Sequence, residues 1–152
     1  AEGPARDLDD LFPVIALLEG RAAHEATLKA GDADRAALEV RHQQPQQCAD
    51  EGRITDYYEA NYAIHEAFIT LADNRWLAQA IGDLRKILRL ARLQQLHAPG
   101  RLQQSLAEHL AVFDALKRRD SEAAEAAMRT HLLHQREALR DVARNQQSRL
   151  NP

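Results

Sequence analysis

Four polar side chains in this sequence fall where helices turn inward, and together they have the chemistry to hold a metal ion. Asn61 and His65 stand four residues apart, with Phe68 and Ala72 following at i+7 and i+11. A buried Phe68 would carry His65 and Asn61 to the interior with it. His109 shares a stripe with Leu102, Leu106, Phe113 and Leu116, and His131 lies on one with Ala124, Met128 and Leu139. Ala63, Ala67, Ala127 and Ala138 leave room around them. Neutral imidazole nitrogens suit Zn, Ni, Cu or Fe, and an asparagine carbonyl adds a harder oxygen. Such a ligand set is uncharged, so a divalent cation would keep its full charge and favour an anion in any open position. Structural zinc sites are mostly closed and cysteine-rich, whereas an open histidine site is a place for something else to bind. The competing reading is structural: a single inward histidine is more often a hydrogen-bonded core residue than a ligand, and three could be satisfied by backbone and water. His24, His42 and His97 fall off the stripes or in connections and are expected in solvent. His134, one turn after His131, lines the same cavity or faces its edge.

Six helices are predicted to position these residues. The first spans about Asp7 to Ala30, with Leu8, Leu11, Ile15, Leu18 and Ala22 on one face. Pro13 lies inside it and predicts a kink or a later start. Gly31 reads as a stop and Asp32 as the cap of a weak second helix ending near Gln43. The polar stretch from His42 to Gly52, with Pro45 and Cys48, reads as an exposed connection. Helices over about 54–72, 75–97, 102–118 and 121–145 follow, separated by Asp73-Asn74, Pro99-Gly100 and a cap at Asp120. No strand pattern and no internal repeat occur. The expected architecture is all-α, an antiparallel bundle of about six helices around a central cavity that could hold a metal.

Composition bounds the function. The chain has 152 residues, 45% hydrophobic and 28% charged, enough for one domain with a substantial core. A single cysteine excludes an internal disulfide framework and fits a reducing compartment. Net charge is −3 and no basic tract stands out, so the domain lacks the electrostatic footprint of a nucleic-acid binder. No apolar run approaches the roughly 20 residues of a membrane span. Residues 1–6 read as a linker or a non-natural start, 7–145 as the domain, and 146–152 as a frayed tail.

The same residues carry a resemblance. From Asn61 the chain reads N-Y-A-I-H-E-A-F-I-T-L-A-D-N-R-W-L, from Arg101 R-L-Q-Q-S-L-A-E-H-L, and from Asp120 D-S-E-A-A-E-A-A-M-R-T-H-L. This ordered set resembles the FCD domain, the C-terminal effector-binding domain of FadR-type regulators in the GntR family, over about Asp7 to Ala143. The resemblance implies a divalent transition metal, zinc first and nickel second, held by Asn61, His65, His109 and His131. It also implies a small organic acid at that metal, a homodimer, and a cytoplasmic regulator whose winged helix-turn-helix, absent here, would touch operator DNA. Three positions depart from the familiar pattern. Asn61 stands where Asp is commoner, Ile64 where Phe is often found, and Ile15 where many members carry an Arg four residues before Glu19. A carboxylate effector would then rely on the metal and on other arginines. Arg89 and Arg92 are the preferred pair among Arg85, Arg89 and Arg92, with Arg101 and His134 as further effector-binding candidates. The rival function is a small helical metalloenzyme for hydrolysis or isomerisation, with Glu66 or Glu108 as its base; the regulator reading, without enzymatic activity, is preferred.

Overall fold

The computed structural model describes residues 4–150. Among them are seven α-helices, one single-turn 3-10 helix and no strand. They are α1 (Pro4–Lys29), α2 (Asp32–Arg41), α3 (Gln43–Asp50), α4 (Ile54–Ala72), α5 (Arg75–Gln94), the 3-10 turn Gln95–His97, α6 (Arg101–Lys117) and α7 (Ser121–Leu150). The all-α bundle expected from periodicity is therefore what forms. Residues 1–3 of the expected linker and 151–152 of the expected tail lie outside the described residues. Residues 4–6 belong to α1, and α7 runs on as exposed helix through 146–150.

The central helices end where the side chains dictate. Asp73 closes α4 in the left-handed region at φ 51°, a conformation short polar residues tolerate. Asn74 then caps α5, its Oδ1 accepting from the Trp76 and Leu77 N–H groups at 3.1 Å each. Gly100 takes φ 72° ahead of α6, and Asp120 accepts from the Ala123 N–H at the start of α7. At the second helix the cap is Gly31, with Asp32 inside the helix; the Gly31 N–H donates to the Asp34 carboxylate at 2.9 Å.

Two expectations are corrected. Pro13 does not delay the start of α1, which begins at Pro4 and runs through it, because Phe12, Ile15 and Ala16 around it are buried and packing outweighs local propensity. The stretch read as a connection is helical: Pro45 falls in the first turn of α3, where no N–H is needed by the helix. Cys48 and Ala49 then bury against Tyr57, Leu96 and Leu106 in a small satellite core, so Cys48 is enclosed and not exposed.

The main core gathers Ile15 and Ala26 of α1, Phe68 of α4, Leu88 of α5, Leu116 of α6 and Leu132 of α7, among others. α1 lies chiefly against α7 and also touches α4, α5 and α6. Gly20 permits the close approach: a Cβ there would stand 2.6 Å from the Cγ of Arg129 on α7. α1 thus backs the bundle, while α4, α6 and α7 turn their polar-interrupted stripes toward one interior point.

Candidate metal and effector site

The three stripe histidines meet. His65 of α4, His109 of α6 and His131 of α7 are each buried, and Asn61 is buried one turn before His65. Ring centroids stand 4.8 Å apart for His65 and His109, 5.6 Å for His109 and His131, and 5.7 Å for His65 and His131. Three imidazoles sharing one ion through nitrogens about 2.1 Å from it would have centroids roughly 4.6–5.3 Å apart. Among the described residues no three His, Cys, Asp or Glu side chains are drawn in tightly enough to ligate one ion as they stand.

The outer edge of each ring is occupied. His65 Nδ1–H donates to Glu19 Oε1 at 2.7 Å, and Glu19 Oε2 accepts from Arg92 Nη1 at 2.8 Å. His131 Nδ1–H donates to Glu108 Oε1 at 2.8 Å. Glu108 is also held by Arg101 at 2.9 Å and by His134 Nδ1, and Arg101 Nε reaches Gln95 Oε1 at 2.6 Å. His109 Nδ1 lies 3.2 Å from His42 Nε2. The inner edges are different: His65 Nε2, His109 Nε2 and Asn61 Oδ1 are buried without a partner, and His131 Nε2 faces only Gln135 Nε2 at 3.4 Å. Buried acceptors without donors are costly and rare in native proteins, so a cluster of them asks for a ligand.

Electrostatics leave these nitrogens neutral. Burial pushes His65 down to about 4, against the opposing pull of Glu19. Burial, with His65 and His131 nearby, puts His109 well below its ordinary value. Burial also lowers His131, against its hydrogen bond to Glu108. For Glu19, burial works to raise the carboxyl, but Arg92, His65 and Arg85 outweigh it and hold it well below the usual range. Glu108 is likewise raised by burial but held at about 2 by the His131 hydrogen bond and charge and by Arg101. The arrangement near pH 7 is three neutral imidazoles, two of them backed by carboxylates and His109 by His42, a form suited to binding a cation.

Beside the rings is a cavity of about 20 Å³ lined by Asn61, His65, Arg85, Arg92, Gln95 and Gln135, with Tyr58 and Tyr62 at its mouth. That is room for about one water-sized group. A groove of about 400 Å³ adjoins it, sharing Tyr58, Tyr62 and Arg85 and adding Glu59, Gly82, Lys86 and Arg89. The shared wall is a stack: the Arg85 guanidinium lies 3.9 Å from the Tyr62 ring centroid and pairs with Glu66.

The effector candidates therefore divide. Arg92 lines the inner cavity. Arg89 is 67% exposed, paired with Glu59 at 3.3 Å in the outer groove. Arg101 and His134 sit on the far side of Glu108 and line a separate cavity of about 120 Å³ with Gln104, Glu137 and Asp141. Arg85, passed over in the sequence, faces the inner cavity with Arg92. Glu19, absent from the candidates above, falls on the buried stripe of Ile15, Ala22, Ala23 and Ala26, which is the signal the sequence holds for it. His42 was expected in solvent and is 4% exposed, stacked on Phe113 with ring centroids 4.3 Å apart; its i+4 relation to buried Leu38 was the available signal. His24 is partly buried beside Glu125, while His97 is exposed as expected.

Comparison with known proteins places the chain in a family. The FCD domain profile matches residues 10–134. YdhC of Bacillus subtilis (strain 168), described as an uncharacterised HTH-type transcriptional regulator, is 23% identical over 139 residues, covering 91% of this chain and 62% of that protein. The solved structure of Streptococcus agalactiae GntR shares the fold with a TM-score of 0.73 at 19% identity, over 90% of this chain and 61% of that one. The chain thus spans about three fifths of the length of each. The ordered motifs, the helical bundle and the profile match converge: the chain belongs to the FCD domain family.

Proposed function

We propose that this domain is the effector-sensing and dimerisation half of a cytoplasmic GntR-type transcriptional regulator. A divalent transition metal, zinc first and nickel second, is held by Asn61 Oδ1 and the Nε2 atoms of His65, His109 and His131, with a slight tightening of the ring collar. The observation that carries this is the two-sided chemistry of the rings. Their Nδ1 edges are engaged, while two of the three Nε2 edges and the Asn61 oxygen are buried without partners. The bound cation would supply a Lewis-acidic position for one oxygen of a small carboxylate effector.

The chain's own residues do the rest. Arg92 and Arg85 add positive charge to the inner cavity. Because that cavity holds about 20 Å³, a carboxylate must displace Tyr62 or Arg85 to enter, leaving its body in the 400 Å³ groove. Glu66 and Glu108, the bases weighed for an enzyme, are each engaged by cations or histidines. No described helix is long and apolar enough to cross a membrane. Val14 and Leu17 of α1 and Ile87 and Leu90 of α5 stand exposed on two helices that pack together, a surface suited to a second copy of the chain. Effector binding shifts the dimer's arrangement by its differential affinity for two states, and a coupling of roughly 1–3 kcal/mol would change operator affinity about 5- to 150-fold. A thermal-shift screen tests this. Zinc or nickel should raise the melting temperature of chelator-treated protein, and a hydroxy, keto or dicarboxylic acid should raise it further only with metal present. An acid that stabilises the metal-free domain equally well, or is turned over, contradicts the proposal.

A further inference from the structure

His42 lies outside every motif that marks the site, at the junction of α2 and α3, yet it is buried against His109. Its two ring nitrogens face different partners. Nδ1 is 2.7 Å from the carbonyl oxygen of Leu38, and Nε2 is 3.2 Å from His109 Nδ1. A carbonyl oxygen can only accept, so the hydrogen of His42 is on Nδ1. Its Nε2 is then a bare lone pair and accepts from His109 Nδ1–H. Placing the hydrogen on His42 Nε2 instead would set two lone pairs against each other at 2.7 Å. His109 is thereby fixed as the Nδ1–H tautomer, with Nε2 left as a lone pair toward the cavity, where it is buried without a partner.

From this chain of donors we infer that His42 is a positioning residue that sets the tautomer and ring orientation of His109, as Glu19 does for His65 and Glu108 for His131. This inference rests on the metal-binding reading for its consequence, but not for its geometry. His42 does for His109 what a carboxylate or backbone carbonyl does for other ligating imidazoles. It does so without adding charge to the site, since two neutral rings relay a peptide carbonyl. Stacking on Phe113 holds the plane of the ring, with ring planes 15° apart. The device also ties the short α2–α3 hairpin to the centre of the bundle.

Two-bond proton–nitrogen correlation spectra of the metal-free protein report each histidine's tautomer directly. His109 should be Nδ1–H, and finding it as Nε2–H would overturn the inference whether or not the domain binds metal. Zinc affinity, measured by competition with a chelating dye, gives the consequence. His42→Phe keeps the stack and loses the acceptor, and should weaken zinc about 10- to 100-fold. His42→Gln, which restores an acceptor, should stay within about fivefold of the parent chain. Parent-like affinity in His42→Phe, or a Gln variant as weak as Phe, contradicts the role. Absence of zinc binding in the parent chain would sink the proposed function while leaving the tautomer result standing.

Discussion

Replacing Glu19 by Gln keeps the shape of the side chain and removes one buried charge. Glu19 is 2% exposed and bridges His65 at 2.7 Å and Arg92 at 2.8 Å. Both neighbours are donors, and a carboxylate satisfies both. A glutamine offers one oxygen and one NH2 group, so either a donor faces a donor or His65 moves its hydrogen to Nε2, the edge that would hold the metal. Worse, the Arg92 guanidinium, itself 7% exposed, loses its anion. Breaking a buried pair in this way costs about 3–5 kcal/mol. At roughly 2–4 °C per kcal/mol for a chain of this size, the metal-free melting temperature should fall by roughly 6–20 °C. Zinc affinity should fall about 10- to 100-fold, because His65 loses the group that orients it. A double-mutant cycle with Arg92→Met separates the two effects. With both charges gone, most of the stability should return, whereas the zinc defect should persist. Melting of Glu19→Gln within about 2 °C of the parent, at matched pH and salt, would refute the reasoning.

Three further outcomes follow from the same geometry. Metal-free stability should drop as pH falls from about 6.5 to about 4. The unfolded chain takes up protons on His65 and its neighbours in that window and the folded chain does not, which costs about 3 kcal/mol for His65 alone; a melting temperature constant from pH 7 to 4.5 would contradict it. Asn61→Asp should tighten zinc by about tenfold or more and weaken carboxylate binding, since a unit charge about 4 Å away is worth up to about 4 kcal/mol before its own burial cost. Unchanged acid affinity in that variant would mean the acid does not sense the site's charge. Arg85→Met should weaken acid binding about tenfold or more and Arg89→Ala no more than about fivefold, because a paired, exposed arginine contributes about 1 kcal/mol or less. The reverse order, by calorimetric titration, would place the acid's carboxylate in the outer groove beside Arg89, away from the inner cavity.

Helical periodicity was enough to place most elements and to send His65, His109 and His131 inward, because each shares a stripe with large apolar neighbours. It also contained more than was taken from it. Ile81, Arg85, Leu88 and Arg92 are spaced i, i+4, i+7 and i+11, so Arg85 belongs with Arg92 on the buried face and Arg89 does not. Glu19 and Ile15 stand in the same relation on α1. The α3 segment was illegible for a different reason. Half of its eight residues are glutamine, and its stability comes from Cys48 and Ala49 packing on Tyr57, Leu96 and Leu106, contacts distant in sequence. With α3 unseen, the i+4 relation of His42 to Leu38 was the one pointer to the interior. The small size of the inner cavity is likewise a tertiary fact, set by how Tyr62 and Arg85 stack.

On the proposed reading, the neutral inner edges of three histidines hold a metal ion together with Asn61. Calorimetric titration of chelator-stripped protein with zinc at pH 7, repeated in buffers of different ionisation enthalpy, tests it most directly. One ion per chain should bind with close to no proton release, since the ligand nitrogens are already neutral. That binding should be lost in His109→Ala. No saturable binding, or binding of equal strength in His109→Ala, would contradict it.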